Sequence, residues 1–217
     1  MVITIGGTFG SGGKIVAERA AALLGYKLCS DEVVNATIKD LDIDLEERAF
    51  RYFDESQGRA SLTDLKGTAN QQHKSNYTAL YSDLTKDVVP LDQRMANAQE
   101  QVIKKLADEN NCVLLGRCAD YYLRGRTDVI SVFCVDEMEN RVELIHDYYK
   151  VNLKQARKII TKADKRRHDY YAFFTGESWG DLENYDLVLH TSTIGLDVSA
   201  QLLKSLVELK EAAEAQE

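Results

Sequence analysis

The chain has 217 residues, a length that fits one globular domain or one domain that carries small insertions. Its hydrophobic content of 44% and charged content of 29% are those of an ordinary globular protein, which excludes a disordered or fibrous chain. The net charge of −8 argues against a protein that coats nucleic acid, because such proteins are usually basic.

The chain opens with a predicted strand, a glycine-rich loop and a helix. The segment from Val2 to Ile5 is a β-branched run that ends abruptly in glycines. From Lys14 onward apolar residues recur at helical spacing, and Gly25 is a suitable stop for that helix. Either Ser30 or Asp31 is a suitable N-cap for a second helix.

Residues 41–90 differ in composition from the rest of the chain. They are polar, contain few large aliphatic side chains and end at Pro90, the sole proline. We interpret them as a helical insertion, so that residues 1–40 and 91–217 form the core. After Pro90 an apolar stripe from Leu91 to Leu106 predicts a helix of about four turns.

The second half of the chain contains three further predicted strands. Cys112–Leu115 and Val129–Val135 are nearly continuous apolar runs, as expected of strands that are buried on both faces of a parallel sheet. Leu187–Leu189 is the last strand, and the closing helix is expected to fray from Glu208. Strands that alternate with helices predict an α/β fold with a central parallel sheet and helices on both faces.

The glycine-rich loop after the first strand predicts a phosphate site. Phosphate loops follow the pattern G-x-x-x-x-G-K-S/T, in which backbone N–H groups and a helix N-terminus hold the anion. Gly7 and Gly12 have the required separation, but Gly13 stands at the lysine position and Lys14 at the hydroxyl position. A dinucleotide fingerprint fits less well, because Ile15 stands where close packing requires glycine or alanine. A purely structural glycine turn is the remaining alternative.

Two further features indicate an anion site. Arg117 and Asp120 follow the end of a buried strand, at the sheet edge where ligands bind in open α/β folds. The run from Lys162 to His168 is rich in cations, which would neutralise a transferring phosphoryl group if they closed over it. The alternatives are a surface salt bridge and a solvated helix face. Asp136, after the next strand, fits an N-cap better than a magnesium ligand.

The four cysteines show no metal-ligand spacing and most lie in or beside apolar runs, so we expect buried, reduced thiols and no protein metal site. The N-terminal segment lacks the basic region of a signal peptide, and no apolar run approaches the length of a membrane span. These features indicate a cytoplasmic protein without a membrane partner.

Taken together, the motifs resemble the cytidylate-kinase-like family, a branch of the nucleoside monophosphate kinases. The resemblance covers almost the whole chain and rests on the segments GTFGSGGK, LLGRCADYYLR, VISVFCVDEMENR, ITKADKRRHDYYAFFTGESWGD and NYDLVLHTSTIGLD. It implies a three-layer P-loop fold with an acceptor-binding insertion and a lid at about residues 150–180. It also implies ATP and Mg²⁺ as cofactors and a nucleotide acceptor, nominally CMP or dCMP, with no nucleic-acid partner.

The resemblance also implies roles for individual residues. The donor phosphates would lie against Gly7, Gly10, Ser11, Gly12, Gly13 and Lys14. The acceptor would lie against Ser30, Asp31, Arg94, Arg117 and Asp120. The lid would carry Lys165, Arg166 and Arg167, and the catalytic residues would be Lys14, Arg166 and Arg167.

The sequence departs from the family pattern at two positions. Gly13 replaces the loop lysine, and Cys118 replaces the aspartate that directly follows the arginine of the GR motif. Lys14 would take over the task of the loop lysine from one position later. The alternatives are a nucleotide-binding regulator without turnover and a P-loop kinase for a different small-molecule acceptor.

Overall fold

Five segments of the chain pair as the parallel strands of one sheet. They are β1 (Val2–Gly7), β2 (Lys27–Cys29), β3 (Cys112–Leu115), β4 (Val129–Val135) and β5 (Leu187–His190), in the order β2-β3-β1-β4-β5. The computed structural model describes residues 1–30, 33 and 91–215, with side chains from Ala96 onward in the last range.

Helices follow the strands along the chain. They are α1 (Gly13–Leu24), α2 (Leu91–Glu109), α3 (Ala119–Tyr122), α4 (Met138–Tyr149), α5 (Leu153–Thr175), α6 (Thr191–Ile194) and α7 (Leu196–Glu214), with a 3-10 helix at Leu182–Asn184. The predicted α/β class with a central parallel sheet is confirmed.

The strands send alternate side chains into two cores. In β1, Val2 enters the core that α2 covers, and Ile3 and Ile5 enter the core that α1 and α7 cover. In β3, Leu114 belongs to the first core and Val113 to the second. Both faces of the sheet are therefore buried, which explains why these strands are continuous apolar runs in the sequence.

The strand β2 has no clear signature in the sequence. It has three residues, of which Lys27 is exposed, and it lies at the edge of the sheet where it pairs with β3. A segment this short shows no period, so that only its pairing with β3 identifies it as a strand.

The expectation that the chain frays from Glu208 is wrong, because α7 continues well beyond that residue. The Tyr26 hydroxyl donates to the Glu211 carboxylate at 3.0 Å, and the Lys210 ammonium donates to the Val129 carbonyl at 3.2 Å. Alanine and glutamate favour the helix, and these two hydrogen bonds attach its last turns to the body of the protein.

The parallel arrangement brings three loops to one edge of the sheet. The glycine loop follows β1, the turn at 116–118 follows β3, and Asp136 follows β4. The carboxyl edge of an open parallel sheet is where ligands bind. All four cysteines are buried thiols, as expected. Within the described ranges, helices that combine the length and the apolar composition of a membrane span are absent.

The packing of α7 on the sheet predicts that two of its leucines contribute very differently to stability. Leu203 is fully buried, whereas Leu209 on the same helix is 70% exposed. Leu203→Ala should lower the free energy of unfolding by about 2–5 kcal/mol, because it removes buried methyl groups and leaves a cavity. Leu209→Ala should change it by less than about 0.5 kcal/mol. Urea unfolding measures both variants, and equal losses would contradict this packing.

Candidate active site

A cavity of about 360 Å³ opens at the carboxyl edge of the sheet. The glycine loop and the start of α1 line one part of it, the turn after β3 lines another, and α4 and α5 contribute further side chains. Of the residues that the sequence singled out, the cavity brings together Gly7, Gly10, Ser11, Gly12, Gly13, Lys14, Ser30, Arg117, Asp120 and Arg167. The predicted donor residues and the predicted acceptor residues that the structure describes therefore share one cavity.

Other predicted site residues lie elsewhere. The side chains of Lys165 and Arg166 are exposed on α5 and do not line the cavity. The Lys165 ammonium forms an ion pair with Asp169 at 2.6 Å, the arrangement of a solvated helix face. Asp31, the insertion at 41–90 and the side chain of Arg94 lie outside the part of the chain that the structure describes.

Backbone geometry explains the glycines of the loop. Gly10 and Gly12 have φ angles of 85° and 78°, a left-handed conformation that favours residues without a Cβ. At Gly7 a Cβ would lie 2.4 Å from the carbonyl oxygen of Cys134, so the base of the loop packs directly on β4. At Gly13 a Cβ would lie 3.3 Å from the Cβ of Cys134, which leaves little room for the lysine of the usual pattern.

The loop is fixed by hydrogen bonds to the neighbouring strand and helix. The Thr8 N–H donates to the Cys134 carbonyl at 3.0 Å, next to the point where Gly7 meets β4. The Thr191 hydroxyl, at the start of α6, donates to the Ser11 carbonyl at 2.6 Å. These bonds hold the loop against β4 and α6.

Polar groups of the loop fit the phosphates of a nucleotide. The hydroxyls of Thr8 and Ser11 are buried and have no hydrogen-bond partner among the described residues. The first N–H groups of α1 lack acceptors within the helix, as at every helix N-terminus, and its N-cap Gly12 has no side chain to satisfy them. An anion with several acceptor oxygens satisfies both sets of donors.

Two cations reach the loop in different ways. The Lys14 side chain is 63% exposed, and its ammonium lies 4.0 Å from the Glu18 carboxylate. The Arg167 guanidinium donates to the Gly7 carbonyl at 2.6 Å and lies 5.3 Å from the centre of the Phe9 ring. Arg167 is therefore anchored at the loop, whereas Lys14 remains largely in solvent.

The protein supplies no clustered metal ligands in the described ranges, where groups of three His, Cys, Asp or Glu side chains are absent. The Asp136 carboxylate accepts from the Glu137 N–H at 2.7 Å and from the Asn140 amide at 3.0 Å. Burial opposes ionisation of Asp136, but hydrogen bonds outweigh it and lower its pKa. The N-cap of α4 is Glu137, so the predicted N-cap at Asp136 is wrong by one residue.

The turn after β3 is conformationally strained. Gly116, Arg117 and Cys118 have φ angles of 69°, 60° and 56°, and the last two carry side chains that disfavour this conformation. The Gln99 amide donates to the Arg117 carbonyl at 2.9 Å, and the Tyr170 hydroxyl in turn donates to Gln99. Strain that neighbouring elements hold in place is typical of functional sites.

Asp120 is the buried acid of the cavity. It is 8% exposed and accepts a hydrogen bond from the Tyr171 hydroxyl at 2.7 Å. Burial raises the pKa of its carboxyl, and the bond from Tyr171 offsets this effect only in part. Within the described residues, cations at ion-pair distance from Asp120 are absent, while the rings of Trp179 and Tyr185 line the same cavity. A hydrogen-bond donor on a ligand would therefore find an acceptor here.

Sequence reasoning missed Gln99, Arg141, Asp164, Tyr170 and Tyr171. Gln99 and Arg141 are both buried although polar. The sequence does indicate that these two residues are buried, because each lies at helical spacing from apolar neighbours, as Arg141 does from Met138 and Ile145. Asp164 and the two tyrosines belong to the ITKADKRRHDYY motif, in which only the cations were predicted to have a functional role.

The raised pKa of Asp120 predicts a pH-dependent stability. Folding favours the protonated carboxyl, so this group's contribution to stability falls as pH rises above its ordinary pKa of 3.8 through the raised value. Asp120→Asn removes the titration and can still accept from Tyr171. The free energy of unfolding of this variant, relative to the unchanged protein, should therefore increase between about pH 4 and pH 8.

Asp128→Asn provides a control with the opposite sign. The Arg126 guanidinium lowers the pKa of Asp128, so its carboxylate stabilises the fold as pH rises. This variant should lose stability relative to the unchanged protein as pH rises to about the ordinary pKa of 3.8, and the difference should stay constant above about pH 5. Urea unfolding at several pH values measures both trends, and a pH-independent difference for Asp120→Asn would rule out a buried titrating acid.

Sequence comparisons match this chain to one family and to one related protein. The model of the cytidylate kinase-like family matches residues 2–193 of this chain. The cytidylate kinase of Methanopyrus kandleri is 24% identical, over 96% of this chain and 93% of that protein.

Solved structures share the fold. An uncharacterized protein from Eubacterium ventriosum has a TM-score of 0.69 at 23% identity, with 96% of this chain and 98% of that chain covered. Shikimate kinase from Bacteroides thetaiotaomicron has a TM-score of 0.50 at 11% identity, with 96% and 98% covered. The family match over nearly the whole chain confirms the resemblance in the sequence motifs: the chain belongs to the cytidylate kinase-like family.

Proposed function

We propose that the protein transfers a phosphoryl group from ATP to a nucleoside monophosphate, with CMP or dCMP as the acceptor. The observation that carries this proposal is one cavity that joins a glycine-rich phosphate loop to Arg117 and the buried Asp120. Family membership supports the kinase reaction, and the related protein named cytidylate kinase supports the cytidine acceptor.

At the donor end, the loop from Gly7 to Lys14 would hold the phosphates of ATP. The unpartnered hydroxyls of Thr8 and Ser11 and the first N–H groups of α1 suit phosphate oxygens. When bound, Mg²⁺ supplies positive charge against the phosphates, and water and phosphate oxygens would complete its shell. Lys14 and Arg167 would add charge, because phosphoryl transfer depends mainly on positioning and charge neutralisation.

At the acceptor end, Arg117 would pair with the acceptor phosphate, since a guanidinium can donate two parallel hydrogen bonds to it. Asp120 would accept from a donor group on the base or ribose, and Ser30 lines the same cavity. Asp31 and Arg94 complete the acceptor set that the family resemblance implies.

We further infer that residues 41–90 form the acceptor-binding insertion and that a lid spans about residues 150–180. The helix α5 lies within this range, and the lid role that the resemblance implies would fall to its solvent-exposed face, which carries Lys165 and Arg166. The four buried thiols fit a reducing compartment such as the cytoplasm.

A panel of acceptors tests the reaction. Purified protein is incubated with Mg-ATP and CMP, dCMP, UMP, AMP or several sugars, and both ADP and the phosphorylated acceptor are quantified. CMP or dCMP should give equal amounts of ADP and the nucleoside diphosphate. If no acceptor stimulates ADP formation above background ATP hydrolysis, the proposed kinase reaction fails.

The position of Gly13 favours a second candidate, a nucleotide-binding regulator without turnover, because the usual loop lysine is missing. Lys14→Ala separates the two. In a kinase it should lower kcat about 100-fold, the scale of removing one charge-stabilising group from a transition state. Lys158→Ala, at an exposed site on α5 away from the cavity, is the matched control and should retain full activity. If the protein is a regulator, Lys14→Ala should weaken nucleotide binding, and neither the unchanged protein nor this variant should show turnover.

A further inference from the structure

Two side chains from outside the glycine loop hold the backbone of Phe9. The Phe9 N–H donates to the Asp164 carboxylate at 2.8 Å, and the Phe9 carbonyl accepts from the Arg141 guanidinium at 2.8 Å. Arg141 also forms an ion pair with Asp164. One residue in the middle of the loop is thus bound at both of its polar backbone groups by a single ion pair.

This ion pair is shielded from solvent. The Arg141 side chain, on α4, is 7% exposed and the Asp164 side chain, on α5, is 22% exposed. Salt screens such a pair less than a surface pair, and hydrogen bonds to charged groups are stronger than neutral ones. Each charge also has a second partner in the loop, which the exposed pairs on α5 lack.

The side chain of Phe9 is anchored to the same two helices. Its ring packs against the apolar cluster between α4 and α5, which includes Ile145 and Ile160. The next residue also lies close to α4, because a Cβ at Gly10 would lie 3.1 Å from the Ile145 side chain. The middle of the loop therefore belongs structurally to the α4–α5 pair, although the sequence places it directly after β1.

The contact with Asp164 also removes one hydrogen-bond donor of the loop from those that a ligand can use. The Phe9 N–H is taken by a carboxylate and is not available to a phosphate. Donors that remain for a nucleotide include the hydroxyls of Thr8 and Ser11 and the first N–H groups of α1. Pinning Phe9 fixes the chain between these two hydroxyls.

We propose that Asp164 and Arg141 are positioning residues of the glycine loop. They hold the backbone of Phe9 against α4 and α5 and so fix the donors on both sides of it in the arrangement that binds phosphate. The consequence for nucleotide affinity rests on the proposed function, whereas the pinning is a property of the protein without ligand.

Amide hydrogen exchange of the ligand-free protein tests the pinning. Asp164→Ala removes the bond to the Phe9 N–H and the ion pair with Arg141, and Arg141→Lys keeps the charge but loses the fork that reaches Phe9 and Asp164 together. Exchange at residues 6–12 should become about tenfold faster in both variants, as expected for the loss of a charged hydrogen bond in a local opening. Peptides from β4 should keep their rates.

The matched control is Asp169→Ala, which breaks an exposed ion pair with Lys165 on the same helix. It should leave exchange in the loop unchanged. Arg141→Lys decides the question if Asp164→Ala does not fold. The proposal is overturned if the loop exchanges at the original rate in the folded variants. It is also overturned if β4 accelerates as much as the loop, because the pair then contributes only to global stability.

A titration with Mg-ATP tests the consequence for binding. Trp179, the one tryptophan of the chain, lines the cavity and serves as a fluorescent probe. Asp164→Ala and Arg141→Lys should weaken Mg-ATP binding about tenfold, and Asp169→Ala should not. Faster loop exchange with unchanged affinity would overturn the positioning role. If the unchanged protein does not bind Mg-ATP, the proposed function fails, while the exchange experiment still decides whether the ion pair pins the loop.

Discussion

The inner face of α5 is the constraint on which the rest of the site depends. Asp164 binds the backbone of the glycine loop, and Arg167, three residues later, binds the Gly7 carbonyl. Further along the same helix, Tyr170 supports the strained turn through Gln99, and Tyr171 donates to the buried Asp120. Residues three and four apart share one face of a helix, so a single rigid element sets the positions of both loops.

The position of α5 is itself fixed at both ends and along its length. A capping box between Asn152 and Gln155 satisfies its first turn, and Gly176 ends it in a left-handed conformation. Its N-terminal half packs on α4 through the apolar cluster that also holds Phe9. Just beyond its end, Arg124 forms two parallel hydrogen bonds with Glu177, each 2.8 Å long. In the proposed kinase, such a helix would compensate for the missing loop lysine by bringing Arg167 to the loop.

Local patterns in the sequence predict much of the fold. Most of the features that they do not predict depend on contacts between residues that are far apart in the sequence. β3 and β4 are predictable because both faces are buried, and the glycine loop because its backbone requires glycine at 10 and 12. β2 is recognisable only through its pairing with β3. Asp164 and Arg141 contact Phe9 across 155 and 132 positions of sequence, so that no local period identifies Phe9 as their partner. The basic run from Lys162 to His168 is evident in the sequence, but only the fold distinguishes the anchored Arg167 from the exposed Arg166.

The most direct test of the shared cavity is a crystal structure with a bisubstrate ligand, in which adenosine and cytidine are joined by five phosphates. The proposed reaction predicts that the phosphates lie along the loop from Gly7 to Lys14, with Arg167 beside them. It also predicts that the cytidine lies against Arg117 and Asp120. A structure in which the ligand binds outside this cavity, or with its cytidine away from both residues, would contradict the proposed arrangement.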